Sequence, residues 1–172
     1  MIEEIRLEPV EREDLDFMLK LWKNPDIMHF WFREPYMNKE KLESMFKKFQ
    51  EDDTIRQFTV YADDERIGYT SLFEINLRHR NAAFAIMLNP DHHGKGHAEK
   101  IVHQVADYGF YQLNLNKINL DVVDYHKKAI HIYEKVGFKI EGKKEQQYLI
   151  RGNFENSYSM GLLKENYQKK EK

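Results

Sequence analysis

His93-Gly94-Lys95-Gly96-His97-Ala98 is a run of residues whose types and spacing can do chemistry. The glycines remove side chains that would hold an anion away from the amides of residues 94–98. The apolar spacing that follows predicts a helix, whose N-terminal dipole adds partial positive charge at the same place. A diphosphate ester could therefore be held by main chain, with Lys95 adding a mobile cation at the rim. Gly-x-Gly before a helix is read equally well as a tight turn. The run has no Gly-Lys-Ser or Gly-Lys-Thr ending for a nucleoside triphosphate and no Gly-x-Gly-x-x-Gly for a dinucleotide. Downstream, Ala129-Ile130-His131-Ile132-Tyr133-Glu134-Lys135-Val136-Gly137-Phe138 places a phenol on a second helix that ends in a glycine stop.

Composition removes several classes of function. The chain has 172 residues, enough for one domain with a substantial core. Formal net charge is −2 with 33% charged residues, so no general basic field favours nucleic acid. Lys47-Lys48 and Lys169-Lys170 read as solvated charge. Cysteine is absent, which excludes disulfides, a thiol nucleophile and cysteine-ligated metal. His92, His93 and His97 invite a metal reading, but the intervening glycines disfavour one helical histidine face and no matching acid is apparent, so no metal site is expected. The N-terminus lacks a basic, apolar leader, and no run has bilayer-spanning length, so the expectation is a cytoplasmic protein without a membrane partner.

The elements that must position these residues follow from periodicity. Residues 2–9 alternate as a strand, and 11–24 place Leu15, Met18, Leu19 and Trp22 at helical spacing before the break at Asn24-Pro25. An aromatic connection, Trp31 to Tyr36, leads to Asn38, which can cap a helix carrying Leu42, Met45, Phe46 and Phe49. Strands are predicted over 56–62, 66–75 and 81–88, the first two joined by a turn at 63–65. A helix over 96–112, a strand over 116–123, a helix over 125–136 whose glycine stop at Gly137-Phe138 leads to another strand, and a final hairpin around Arg151-Gly152-Asn153 complete the order. The expected organisation is one domain over 1–164, with 165–172 a charged, solvated tail.

This order, with the glycine turn and the Tyr-x-Lys-x-Gly-Phe segment, resembles the GNAT superfamily of N-acetyltransferases. Gly96 and Ala98 fill the last two positions of that family's pyrophosphate motif, while His93 replaces its usual Gln or Arg. His126 stands where the family often has Asn. Within the superfamily, Trp31-Phe-x-Glu-Pro-Tyr36, Glu74-Ile-Asn76, His79-Arg80, Asp107-Tyr-Gly-Phe110 and Lys128-Ala-Ile-His-Ile-Tyr133 are similar to bacterial spermidine N-acetyltransferases.

The resemblance implies an α/β acyltransferase fold, a mixed and largely antiparallel sheet flanked by helices. It implies acetyl-CoA as cosubstrate, held by Ile86, Met87, Leu88, His93, Gly94, Lys95, Gly96, His97, Ala98, Glu99, His126, Ala129, Tyr133 and Lys135. The strand at Ile86-Met87-Leu88 should splay from its neighbour and offer the Met87 or Leu88 amide to the acetyl carbonyl. Tyr133 is implied as the general acid for the departing thiolate. Met28, Trp31, Glu34, Tyr36, Glu74 and Phe84 are implied to line the amine site, although Trp31 and Phe32 are read equally as core aromatics.

The expected substrate is a polyamine such as spermidine or spermine, attacked directly in a ternary complex, and the expected assembly is a homo-oligomer. Arg33 and Ala83 occupy positions where that subfamily has acids. Arg33 reverses the local sign, which argues against a second, regulatory polyamine site. Acetylation of a protein N-terminus and a non-catalytic acyl-CoA-binding regulator are the alternative readings.

Overall fold

The computed structural model describes residues 4–167. A seven-stranded sheet in the order β1-β2-β3-β4-β5-β7-β6 is its spine. The strands are β1 (Ile5–Pro9), β2 (Arg56–Ala62), β3 (Glu65–Asn76), β4 (Asn81–Leu88), β5 (Lys117–Val123), β6 (Lys139–Ile150) and β7 (Asn153–Leu163). Every neighbouring pair is antiparallel except β4 and β5. The helices are α1 (Leu15–Lys23), α2 (Pro25–Phe30), α3 (Lys39–Gln50), α4 (His97–Asp107) and α5 (Lys127–Val136). A π-helical turn, Tyr108–Gln112, extends α4 close to the predicted end at 112.

Both faces of the sheet are covered, because strand alternation sends neighbouring residues to opposite sides. The cross-strand pair Leu72 and Phe84 belongs to a core with Ile101, Val105 and Phe110, from α4 and the turn after it. The pair Tyr69 and Met87 belongs to a separate core with Met18, Trp22 and Met28 from α1 and α2.

Asn24-Pro25, predicted as a break, both ends α1 and begins α2. The Asn24 Oδ1 accepts from the Asp26 and Ile27 amides at 2.9 and 3.4 Å, and Pro25 occupies the first turn, where its missing N–H costs nothing. Asn38 caps α3 as expected, its Oδ1 accepting from the Lys41 amide at 2.8 Å.

The charged tail predicted from residue 165 needs correction over its first residues. Lys164–Asn166 form a 3-10 turn, and Tyr167 is 6% exposed. Its hydroxyl donates to Asp107 Oδ1 at 2.9 Å and lies 3.1 Å from the His103 carbonyl, and its ring packs on Phe110. One aromatic side chain is enough to dock an otherwise polar segment. Residues 168–172 lie outside the described residues.

Asp14 ties α1 to the sheet. Its buried carboxylate accepts from the Glu11 amide at 2.9 Å, Thr59 Oγ1 at 2.8 Å, the Tyr61 hydroxyl at 3.1 Å and Arg66 Nε at 2.7 Å. Burial pushes the carboxyl pKa up, but the Glu11 amide, Arg66, Thr59 and Tyr61 together hold it below the ordinary value.

Candidate active site

The site starts where two strands part. β4 and β5 pair over only three residue pairs, Asn81 with Lys117, Ala82 with Ile118 and Ala83 with Asn119. Beyond Ala83 the carbonyls on the β5 side of β4 take other donors. The Ile86 carbonyl accepts from Trp31 Nε1 at 2.8 Å, and the Leu88 carbonyl accepts from His93 Nε2 at 3.2 Å. At the last paired stretch the Ala82 carbonyl lies 3.4 Å from Asn119 Nδ2, on the same side. Alternate residues of β4 therefore turn their peptide groups to the gap, and that of Met87 faces β3.

At the far end of β4 the chain turns through Asn89 and a 3-10 turn, Pro90–His92, into the glycine loop. Gly94 and Gly96 have φ of 78° and 79°, the left-handed region in which a β-carbon is strained. A Cβ built on either meets nothing within 4 Å, so the outer face of the loop is open to a ligand. Gly96 is the N-cap of α4, leaving the amides of Gly96, His97, Ala98 and Glu99 without intrahelical acceptors.

The side chains here separate into distinct roles. Lys95 is exposed at the rim, whereas the His97 ring is buried beside His92, with 6.1 Å between ring centroids. His92 Nε2 lies 3.2 Å from Glu65 Oε1. Glu99 and Lys135 hold each other at 2.6 Å and join the first turn of α4 to the last turn of α5. Ala129 packs against the α4-side core.

Two cavities meet at the parted strands. One, of about 450 Å³, is lined by Ile86, Met87, Leu88, His93 and His126, with Arg151 at its edge. The other, of about 830 Å³, reaches from Trp31, Phe84 and Tyr133 to Glu74 and Asp121. Phe30, Trp31 and Ile86 line both, so the two spaces adjoin beside the free edge of β4.

Tyr133 sits on α5 with its ring between Phe84, at 6.2 Å, and Phe138, at 5.7 Å. Burial raises its phenol pKa well above the ordinary value, so the group stays protonated at neutral pH. Among the described residues nothing hydrogen-bonds its hydroxyl. His126, its ring 4.2 Å from Phe30, is moved the other way. Burial first, then the charges of His93 and Lys128, lower its pKa and favour the neutral imidazole.

The larger cavity is lined by the carboxylates of Asp52, Glu74, Asp121 and Glu141 and by the cations Arg33 and Lys144. Asp52 accepts from the Thr54 amide and hydroxyl, and Glu141 pairs with Lys117 at 2.7 Å. Glu74 lies at an irregularity of β3 with φ 52° and has no polar partner among the described residues.

Several expected amine contacts lie elsewhere. Met28 is 0% exposed because α2 turns it into the core with Trp22 and Met18, so it cannot touch an amine. Glu34 and Tyr36 line neither cavity, and Tyr36 is 69% exposed with Lys41 over its ring. Their neighbours take the wall instead. Phe32, at φ 58°, stacks on Tyr148 at 3.6 Å, and Arg33 lies 5.2 Å over Trp22. Trp31 packs on Trp22 and Tyr69 and also lines both cavities.

Sequence reasoning missed Asp121, Glu141, Lys144 and Tyr148. Asp121 alternates with Asn119 on β5, a signal available in principle, but the face it occupies depends on strand order.

The sequence pattern of the Acetyltransferase (GNAT) domain family matches residues 4–139. A spermidine N(1)-acetyltransferase of Vibrio cholerae is 39% identical over 168 residues, 97% of each chain. That of Escherichia coli K12 is 39% identical over 163 residues, covering 95% of this chain and 88% of the relative. The crystal structure of spermidine N-acetyltransferase from Vibrio cholerae in complex with CoA and spermine superposes with a TM-score of 0.93 at 38% identity, covering 95% of this chain and 97% of the other. With this match falling on the parted strands, the glycine loop and the phenol of α5, the chain belongs to the GNAT family of N-acetyltransferases.

Proposed function

We propose that this chain transfers the acetyl group of acetyl-CoA to a primary amine of a polyamine such as spermidine or spermine, by direct attack in a ternary complex. The observation that carries the reading is the pair of adjoining cavities at the β4–β5 gap, the smaller reaching His93 at the start of the glycine loop and the larger lined by carboxylates. The near full-length similarity to spermidine N-acetyltransferases supports the same substrate class.

In this mechanism the N-terminal amides of α4, from Gly96 to Glu99, and the open loop at Gly94 and Lys95 receive the pyrophosphate. The pantetheine arm runs through the smaller cavity past His93 and His126, replacing inter-strand hydrogen bonds along β4. The peptide group of Leu88, which faces the gap, supplies the amide for the developing oxyanion. Of the two amides expected for that role, Leu88 is the one whose peptide group faces the gap. The amine attacks the thioester carbonyl carbon, the carbon–sulfur bond breaks, Tyr133 delivers its proton to the departing thiolate, and the proton lost by the acylated nitrogen passes through water and restores the phenol. Glu99 and Lys135 act by fixing α4 to α5. The amine carries a proton in water, with a pKa near ~10.4, and must shed it before attack.

Glu74 offers a free carboxylate to a substrate ammonium. Glu74→Gln should raise the polyamine KM roughly five- to tenfold, as expected for losing one charge-assisted contact at a partly hydrated site. An unchanged KM in steady-state assays removes Glu74 from the amine site.

Arg33 in the cavity wall favours the second reading, acetylation of a protein N-terminus, because it disfavours a polycation. Acetyl-CoA-dependent thiol release against spermidine, spermine, putrescine, lysine and N-terminal peptides separates the two. Saturable release on spermidine or spermine supports the polyamine reading, and release confined to peptides overturns it.

We further infer a cytoplasmic homo-oligomer. No helix among the described residues is long and apolar enough to cross a membrane. Leu149 and Phe154, paired in register on the β6–β7 hairpin, are 63% and 66% exposed, an apolar pair suited to a subunit contact.

A further inference from the structure

Asp121 is held differently from the other acids of the larger cavity. Its Oδ1 accepts from Ser159 Oγ at 2.8 Å, directly opposite in register on β7. Its Oδ2 accepts from Lys144 Nζ at 2.8 Å and from the Tyr148 hydroxyl at 3.2 Å. The two neutral donors orient the carboxylate, and the third ligand is a primary alkylammonium. Among the described residues Lys144 is the only lysine lining this cavity, and its terminal group is chemically the same as the end of a polyamine.

Resting on the polyamine reading above, we propose that Asp121 is an ammonium subsite which Lys144 fills in the free enzyme and which a polyamine takes over by displacing it. Lys144 stands at the break in β6–β7 register between Lys144 and Tyr148, and its side chain is 42% exposed. Leaving the cavity returns its ammonium to water without breaking a strand ladder. Ser159 and Tyr148 keep Asp121 aimed during the exchange. Tyr148 is pushed up to about 12, by burial first and then by the Asp121 charge, and so keeps its proton as a donor.

The exchange selects by substrate length and charge. A monoamine has a single nitrogen, which must go to the thioester, and leaves Lys144 in place. A polyamine has a second ammonium to trade for it.

The test is the amine KM. Lys144→Met should lower the spermidine KM about three- to fivefold, the ceiling set by what a half-exposed ion pair contributes. Lys144→Arg, which keeps the charge, should retain the wild-type KM. Asp121→Asn should raise KM, and Lys144→Met in that background should give no further improvement. A gain in affinity cannot arise from damaged folding. An unchanged or higher KM in Lys144→Met, with polyamine turnover intact, overturns the subsite and leaves the proposed function standing. Absence of polyamine turnover by the wild-type protein overturns both.

Discussion

Tyr133→Phe should lower kcat by roughly 10²- to 10³-fold while leaving the Kd of coenzyme A within about twofold, the effect of removing one general acid from a bound complex. The ring is held by Phe84 and Phe138, contacts that phenylalanine preserves. Its hydroxyl has no hydrogen-bond partner among the described residues, so the substitution orphans no buried group and stability should hardly change. Burial raises the phenol pKa, which keeps the acid form throughout the pH range in which a thiolate must be protonated. Steady-state kinetics with calorimetric binding of coenzyme A separate the two quantities. Equal loss of binding and turnover would make Tyr133 a packing residue of α5.

The second large effect falls on stability. Asp14→Ala should destabilise the fold by about 3 kcal/mol, in the range for breaking a buried, hydrogen-bonded charge network. It strips a partner from Thr59, Tyr61, Arg66 and the Glu11 amide at once. The folded carboxyl pKa lies below the unfolded one, so this stabilisation is present above about pH 4 and is lost as pH falls through the folded value. Urea unfolding at neutral pH should therefore show a large gap between wild type and variant that narrows in acid. A gap independent of pH would assign the loss to packing.

Residues fixed by local backbone needs were legible in the sequence. Gly94 and Gly96 occupy left-handed φ values that glycine tolerates best, Asn38 caps the helix it precedes, and Gly137 ends α5 at φ 117°. Trp31 to Tyr36 was legible as an aromatic connection, but not which of its residues face the cavity. That depends on α2, whose start at Pro25 reads as a stop in sequence and whose packing turns Met28 inward.

β6 illustrates a second limit. Nearly all its residues are exposed, so the strand expected after Gly137-Phe138 has no burial alternation from which to read its length or its facing. Asp121 and Lys144 meet because β7 lies between β5 and β6, a juxtaposition across strands that no local pattern encodes.

The most direct test of the account is product identity. The wild-type protein is incubated with acetyl-CoA and an equimolar mixture of spermidine and an N-terminal peptide, and the products are read by mass spectrometry beside a Tyr133→Phe control. The account predicts singly acetylated spermidine, an unmodified peptide and little product from the variant. Acetylated peptide with untouched spermidine would contradict it.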